Sequence, residues 1–254
     1  RIEELPGHSR AMTPPPAAPR TVGALPRRRG LSLVELMVGI VVGLFVVAAA
    51  AMLVSGQLAE NRRLLLDTQL QQDLRATADI VTRELRRTGA WGKSWNGVWS
   101  AGTPAQDNAL NHVSPSPAAP ASAVTTSDIT FGYERSVFQS GDWRFLKQGD
   151  LIRTKVDPGP NVPMQDLTDP NTMVVDTFDV TVEELGRVRI PCPKLCPGGG
   201  VGCWPEQVAR DFVVDITAHA RSDPSVTRSI RSRVRQRNDP VAFNVLPGPQ
   251  ACPD

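Results

Sequence analysis

The longest apolar stretch of the chain lies near its N-terminal end. From Leu36 to Val54, nineteen successive residues carry no charge and no polar side chain, and a helix of about 20 apolar residues spans a bilayer. Arg27, Arg28 and Arg29 stand before it, and such residues stay on the cytoplasmic side. A cleaved secretory signal, the alternative, has a shorter apolar core that ends in small residues. The pattern therefore predicts one membrane-spanning helix with a cytoplasmic N-terminus and an exported C-terminal part.

Beyond this stretch, hydrophobic residues recur at steps of three and four, which is the spacing of one helical face. They are Leu66, Leu70, Leu74, Ala78, Val81 and Leu85. No proline occurs between Pro26 and Pro104, and Gly89 is a suitable helix stop. We predict one continuous helix over about 31–88, half in the membrane and half packed on a domain. The alternative is an anchor followed by a separate amphipathic helix, with a break at Gly56.

The rest of the chain carries the signals of strands. We predict strands at 128–135, 150–156, 173–183, 187–190, 211–220 and 225–237. Apolar residues alternate from Phe212 to Ala220, which indicates a strand with one buried face. An antiparallel sheet packed on the amphipathic part of the helix gives an α+β fold. In the connector at 90–126, which is rich in Trp, Pro and Gly, we expect the aromatic residues to pack on the domain; they are Trp91, Trp95 and Trp99.

Charge narrows the range of partners. The chain of 254 residues has a formal net charge of +2, which is too small to indicate a polyanion-binding protein. In the last predicted strand, Arg231, Arg233, Arg235 and Arg237 fall on one face. We interpret this face as a solvated strand edge that discourages aggregation. Contact with an acidic neighbouring subunit is the next interpretation, and nucleic-acid binding is the last.

Four cysteines lie in the last third of the chain: Cys192, Cys196, Cys203 and Cys252. An even number in an exported domain favours disulfide bonds in an oxidising compartment. Zinc is the alternative, but the spacing departs from the usual two-residue separation of paired ligands. Of the three connectivities, we favour one bond within 192–203 and one that ties Cys252 back to that cluster.

No arrangement of residues indicates catalysis or a bound cofactor. His8, His112 and His219 are scattered and form neither a triad nor a metal-binding spacing. The glycines at 198–202 lack the strand and helix that flank a phosphate-binding loop. Four aspartates match no calcium-loop spacing, and turns at Asp-Pro explain them better; they are Asp157, Asp166, Asp169 and Asp176. We therefore expect no enzymatic activity, no cofactor and no metal.

One carboxylate, that of Glu35, stands at the start of the apolar stretch. A carboxylate inside the apolar layer costs several kcal/mol unless it is paired or neutralised. No Lys or Arg follows Glu35 before Arg62. The carboxylate therefore lies among the cytoplasmic headgroups, or it pairs with a cation from outside the chain.

The segment RRRGLSLVELMVGIVVG, which begins at Arg27, resembles the class III signal of type IV prepilins and type II secretion pseudopilins. That signal consists of a basic leader that ends in Gly, a cleaved bond, and an apolar first residue of the mature chain. A glutamate stands at the fifth position of the mature chain. Gly30, Leu31 and Glu35 match it, although most relatives have Phe or Met where Leu31 stands. The resemblance implies cleavage between Gly30 and Leu31 by prepilin peptidase/methyltransferase, followed by N-methylation of Leu31. It also implies that Glu35 neutralises the N-terminal ammonium of a neighbouring subunit during assembly.

Three further segments resemble PilW-type minor pilins and occur in the expected order. Residues 70–92 resemble the end of their long helix, residues 125–135 resemble their first strand, and residues 231–239 resemble their last strand. The resemblance implies a type IV pilin-like fold and a minor pilin that takes part in pilus initiation, in a tip complex. A minor J-type pseudopilin of a type II secretion system is the first alternative. A membrane-tethered periplasmic binding protein is the second.

These expectations divide the chain into five segments. A cytoplasmic leader covers 1–30, with 1–11 set aside as a candidate gene-start artefact; the membrane and assembly half of the helix covers 31–56, and its amphipathic half 57–89. The connector covers 90–126, and a periplasmic β-sheet domain with a Cys-rich C-terminal region covers 127–254. The implied partners are prepilin peptidase/methyltransferase, other minor pilins, the major pilin, the inner membrane and a tip adhesin; nucleic acid is not expected. The implied location is the inner membrane and, after assembly, the pilus.

Overall fold

The computed structural model of the chain describes residues 30, 32–97, 106–155, 157–159, 161–242 and 252. The chain divides into two compact units, Arg1–Ser55 and Gly56–Asp254. Helix α1 covers Leu33–Arg86. Among the described residues, it is the one helix long and apolar enough to cross a membrane. The prediction of one long helix is confirmed, while its predicted first residue, Leu31, lies outside the described residues.

The second half of α1 carries the helical face that packs in the second unit. Its buried residues are Leu70, Leu74, Ala78, Val81 and Leu85, all members of the hydrophobic core, and Leu66 is partly buried against them. These are the positions predicted from the spacing. Burying one leucine side chain contributes about 2 kcal/mol, so packing of this face stabilises the second half of α1 more than helix propensity does.

The end of α1 requires a glycine. Gly89 has a φ of +78°, and its N–H donates to the carbonyl oxygen of Gly132 at 2.9 Å. A Cβ at Gly89 would lie 2.6 Å from Asn111 Oδ1, and residues with a Cβ rarely adopt a positive φ. The predicted stop at Gly89 is therefore confirmed, and it directs the chain toward the first sheet.

The structure describes ten strands after α1: β1 (Val113–Ser114), β2 (Ala123–Thr126), β3 (Asp128–Ser136), β4 (Gln139–Gln148), β5 (Leu151–Lys155), β6 (Met164–Asp166), β7 (Met173–Arg189), β8 (Glu206–Ala220), β9 (Asp223–Arg235) and β10 (Val241–Ala242). One antiparallel sheet has the order β1-β3-β4-β5-β6. The other has the order β10-β8-β7-β2, and β9 also pairs with β8. Together with α1, these two sheets form the predicted α+β, pilin-like arrangement.

Two strand predictions need correction. β4 was not predicted, because only two of its residues, Trp143 and Phe145, alternate as buried residues. The strands predicted separately at 173–183 and 187–190 are one strand, β7, which continues through an irregularity between Glu184 and Gly186. Gly186 permits this irregularity because its φ of +154° is one that few other residues adopt.

The connector contains more regular structure than predicted. It holds β1, β2 and a short 3-10 helix at Ser94–Gly97. Trp95 is 66% exposed, so the prediction that it packs on the domain is wrong; the 3-10 helix that carries it has no buried residue. Trp91 is half-buried, and Trp99 lies outside the described residues.

Aromatic rings from β3 and β4 form the centre of the core. Phe131 and Tyr133 stack with ring centroids 6.1 Å apart, and Tyr133 and Trp143 stack at 4.8 Å. The same core includes side chains of the second sheet, among them Val180 and Phe212. One core therefore holds the second half of α1 and both sheets together.

Glu84 joins α1 to these aromatic rings. Its side chain is 12% exposed, and its Oε2 accepts hydrogen bonds from the Tyr133 hydroxyl and from Arg135 Nη2, the latter at 3.1 Å. The Arg135 guanidinium lies over the Trp143 ring, 4.2 Å from its centroid, in a cation–π contact. We call Glu84, Tyr133, Arg135 and Trp143 the Glu84 cluster.

Tyr133 is the only tyrosine of the chain, so near-ultraviolet absorbance reports its ionisation alone. Burial, and then the hydrogen bond to Glu84, raise the pKa of Tyr133 well above its usual range. At about pH 11 we expect no phenolate signal from the folded chain and a strong one from the chain in guanidinium, since the usual pKa is about 10. Because the folded pKa is the higher one, this stabilisation is complete below about pH 10 and is lost as the pH rises toward the folded pKa. Ionisation of the folded chain with the usual pKa would contradict the hydrogen bond to Glu84.

Candidate processing and assembly site

The predicted cleavage position lies immediately before α1. Gly30 is exposed, and no atom of the described residues lies within 4 Å of the point where its Cβ would stand. Packing against the described residues therefore does not require a glycine at this position. Leu31, on the other side of the predicted cut, lies outside the described residues. A glycine that the fold does not need is consistent with recognition by another protein.

Glu35 lies in the first turn of α1. The first hydrogen bond of the helix runs from the Leu36 N–H to the carbonyl oxygen of Ser32, at 3.1 Å. A carboxylate in the first turn interacts favourably with the helix dipole. The Glu35 side chain is exposed, and the described part of the chain gives it no ion-pair partner. The carboxylate is therefore accessible to a cation of another molecule.

The first half of α1 presents apolar side chains on all sides; Phe45, for example, is 74% exposed. Gly39 and Gly43 stand four residues apart with open space around both. This G-x-x-x-G spacing is typical of close contact between helices in lipid. Sequence reasoning missed this pair, although the letters GIVVG contain the signal.

Two family matches cover these features. Residues 25–51 match the prokaryotic N-terminal methylation motif. Residues 63–236, more than half of the chain, match prepilin peptidase-dependent protein B, PpdB. The chain belongs to the PpdB family. No curated protein and no solved structure matches it.

Membership of the PpdB family gives the predicted positions a context. The methylation-motif match contains Gly30, Leu31 and Glu35, and the PpdB match begins in the second half of α1 and ends just after β9. The protein is therefore a pilin-like protein that depends on prepilin peptidase. Its apolar helix suits an anchor in the inner membrane. The matches support prepilin peptidase as a partner and assembly with other pilins.

The four cysteines of this PpdB-family protein form two disulfide bonds. Cys196 is bonded to Cys203 within the loop between β7 and β8, and Cys192 is bonded to Cys252, 60 residues away. This is the connectivity favoured from the sequence. The longer bond fastens Cys252 to the loop between β7 and β8. Disulfide sulfurs are not thiolates, so these four residues do not form the zinc site considered as the alternative.

Three of the four predicted face arginines lie on β9, an edge strand that pairs with β8. β9 ends at Arg235, so the prediction that Arg237 continues this face is wrong. The Arg237 N–H instead donates to the carbonyl oxygen of Arg86 at 3.0 Å. The arginines on β9 form ion pairs with acidic residues of the same unit: Arg231 with Asp215 at 3.7 Å, Arg233 with Glu183 at 2.6 Å and Asp211 at 2.7 Å, and Arg235 with Asp239 at 3.0 Å. Because these acids balance the arginines, the face is a ladder of ion pairs at a sheet edge.

Two of the four aspartates considered for calcium have structural roles in a turn and between strands. Asp169 Oδ1 accepts the Asn171 N–H at 2.8 Å, as expected for a turn at Asp-Pro. Asp166 accepts from Arg153 Nε at 2.7 Å and thereby links β6 to β5. Among the residues that the structure describes, no group of His, Cys, Asp and Glu side chains could hold a metal ion.

Proposed function

We propose that the chain is a minor pilin, a structural subunit and not an enzyme, that takes part in initiating and assembling a type IV pilus. One observation carries the proposal: a single chain contains the methylation motif at 25–51, followed by the PpdB match at 63–236. The proposed setting is a tip complex with other minor pilins, below a tip adhesin and above the major pilin. The resemblance of three segments to PilW-type minor pilins supports this role.

Processing proceeds on the cytoplasmic face of the inner membrane. Prepilin peptidase/methyltransferase cuts between Gly30 and Leu31 and methylates the new N-terminus at Leu31. The apolar half of α1 stays in the inner membrane, and the second unit lies in the periplasm. The two disulfides support this location, because such bonds persist in an oxidising compartment.

The cut creates the cation that Glu35 lacks. A carboxylate and an α-ammonium 4 Å apart attract each other by about 4 kcal/mol at an effective dielectric constant of 20. Each charge alone is unfavourable in lipid, so the two are best accommodated as a pair. Glu35 of one subunit and the N-terminus of a neighbouring subunit then fix the axial position of one helix against the next.

A deletion strain complemented with either the wild-type gene or Glu35→Ala tests this function. We expect deletion to remove surface pili and the wild-type gene to restore them. Glu35→Ala should be cleaved normally but enter sheared filaments at least about tenfold less, since a loss of 1.4 kcal/mol already corresponds to tenfold. Electron microscopy, immunoblots of sheared filaments and the mass of the processed chain are the measurements.

Glu60→Ala is the matched control, because Glu60 is an exposed glutamate of α1 outside the apolar stretch. It should enter filaments like the wild type. Unchanged pili together with loss of secreted enzymes in the deletion strain would assign the subunit to a type II secretion system as a minor J-type pseudopilin. Normal incorporation of Glu35→Ala would contradict the ion pair.

A further inference from the structure

A groove of about 890 Å³ lies in the second unit, beside the end of α1. Its volume falls in the range of about 300–1,000 Å³ that is usual for ligand sites. The wall includes the half-buried Trp91 and four amide side chains, among them Asn108 and Asn111. It also includes four arginines: Arg87, Arg187, Arg210 and Arg237. The Glu84 cluster, the cleavage site and the disulfides are not part of this wall.

Arg210 is half-buried, and its guanidinium has few hydrogen-bond partners among the described residues. Its Nε is removed from solvent and has no hydrogen-bond partner within the described part of the chain. Its Nη1 makes a single long hydrogen bond of 3.5 Å to the carbonyl oxygen of Asn111. Glu184, its cross-strand neighbour, accepts from Arg187 Nε at 2.7 Å instead. Burial lowers the pKa of Arg210 below its ordinary value, and the nearby charge of Glu184 opposes this shift.

Besides Arg210, the groove wall contains both positively and negatively charged side chains. Arg87 is engaged with Glu84 at 3.3 Å, whereas no described residue forms an ion pair with Arg237. The wall also contains two acids, Asp107 and Asp239. Oδ1 of Asp239 is buried and receives no hydrogen bond from the described residues. The groove wall therefore contains one donor without an acceptor, Arg210 Nε, and one acceptor without a donor, Asp239 Oδ1, among the described residues. The other oxygen of Asp239 accepts from Gln207 and Arg235.

We propose that this groove binds an extended peptide segment of another protein through a carboxylate side chain. The carboxylate pairs with the Arg210 and Arg237 guanidinium groups, and the peptide N–H groups face Asp239 and the asparagine amides. Arginine suits this role because its planar donors match a carboxylate. The proposal concerns the binding chemistry and does not depend on which filament the subunit serves.

The acids in the wall favour a peptide over a nucleic acid. A phosphodiester backbone carries a negative charge at every residue, so Asp107 would repel it, and it has no N–H to donate to Asp239 Oδ1. A peptide with one or two carboxylates places negative charge only at the arginines and supplies donors elsewhere. Trp91 gives its apolar parts a surface to contact.

Fluorescence anisotropy with the full chain in neutral detergent micelles tests the proposal. The probe is a fluorescein-labelled glycine peptide with two glutamates, and the comparison peptide has glutamines in their place. We expect the glutamate peptide to bind at least about tenfold more tightly than the glutamine peptide, and Arg210→Gln to weaken it by about tenfold or more, as for the loss of one member of a buried charge pair. Arg237→Gln should weaken binding in the same direction.

Arg221→Gln is the matched control: it removes one charge at the far end of β8, where Arg221 pairs with Asp150 at 3.3 Å. Its binding should equal that of the wild type. If circular dichroism shows that Arg210→Gln is unfolded, Arg237→Gln decides the question, because Arg237 is exposed. Equal binding of both peptides, equal loss in all three variants, or tighter binding of a single-stranded oligonucleotide than of the glutamate peptide would each overturn the proposal. None of these results depends on whether the deletion strain loses its pili.

Discussion

Replacing Gly30 with valine is expected to leave the residues before Leu31 attached to the chain. A peptidase that cuts after a glycine must bring its catalytic groups close to a backbone without a side chain, and a β-branched residue blocks that approach. We expect essentially no processed chain and no methylated N-terminus in membranes from cells that express Gly30→Val. Mass spectrometry of the purified chain separates the two forms, because the processed chain lacks the residues up to Gly30.

The structure makes this test a clean one. The Gly30 position is exposed, and no described residue occupies the space where a side chain would stand, so we expect valine there to leave the described fold unchanged. Gly56→Val is the matched control, since Gly56 also has open space around it and lies within α1; in a helix, valine is more favourable than glycine by a few tenths of a kcal/mol. Gly56→Val should be processed like the wild type. A processed Gly30→Val chain would contradict the assignment of the cut.

The features that the sequence predicts well are those that depend on neighbours along the chain. The apolar stretch and the face through Leu70, Leu74 and Val81 are periodic signals within one helix, and α1 contains both. The stop at Gly89 depends on a backbone angle that glycine adopts readily. The residues of the motif around Gly30 and Glu35 are contiguous in the sequence, and the match to the N-terminal methylation motif covers them.

Features that depend on strand pairing were predicted less well. β4 was missed because the alternation is short: only Trp143 and Phe145 are buried along its ten residues. β7 was predicted as two strands because a glycine such as Gly186 often interrupts a strand. In the structure, the backbone pairing between β7 and β8 continues through a local irregularity at this point. Pairing with β8 supplies the hydrogen bonds that keep this segment extended, and a single sequence does not show that partner.

Side-chain clusters could not be predicted, since their members are distant in sequence. The arginines of β9 are neutralised by acids that lie on β8, on β7 and beyond β9. The spacing of the arginines therefore predicts that they share one face of the strand, but it does not predict the acidic residues that pair with them. The groove near Arg210 likewise combines residues of the connector, of β8 and of the segment after β9. Only the folded chain shows that Arg210 Nε is removed from solvent without a hydrogen-bond partner among the described residues.

The largest expected effect on stability concerns Glu84, which sequence reasoning did not single out. Glu84→Ala removes the acceptor of the Tyr133 hydroxyl and the counter-charge of Arg135. Tyr133 is fully buried, so its hydroxyl cannot turn to water for another partner. The Tyr133 oxygen still accepts from Arg135 Nη2 at 2.9 Å, but its O–H is left without an acceptor. An unsatisfied buried donor costs about 1–3 kcal/mol, and breaking a buried ion pair costs about 3–5 kcal/mol. Because Arg135 is partly exposed, we expect the free energy of unfolding to fall by about 3 kcal/mol.

For a unit of this size, a loss of about 3 kcal/mol lowers Tm by roughly 6–12 °C. Thermal unfolding of the full chain in detergent, followed by circular dichroism, measures the change. Glu84→Gln should lie between Glu84→Ala and the wild type, because the amide oxygen still accepts from Tyr133 while the charge opposite Arg135 is gone. Glu60→Ala makes the same substitution at an exposed position of α1 and should leave Tm within about 1–2 °C of the wild type, since surface substitutions change stability by less than about 0.5 kcal/mol. Equal melting of Glu84→Ala and Glu60→Ala would show that the Glu84 cluster does not hold α1 to the first sheet.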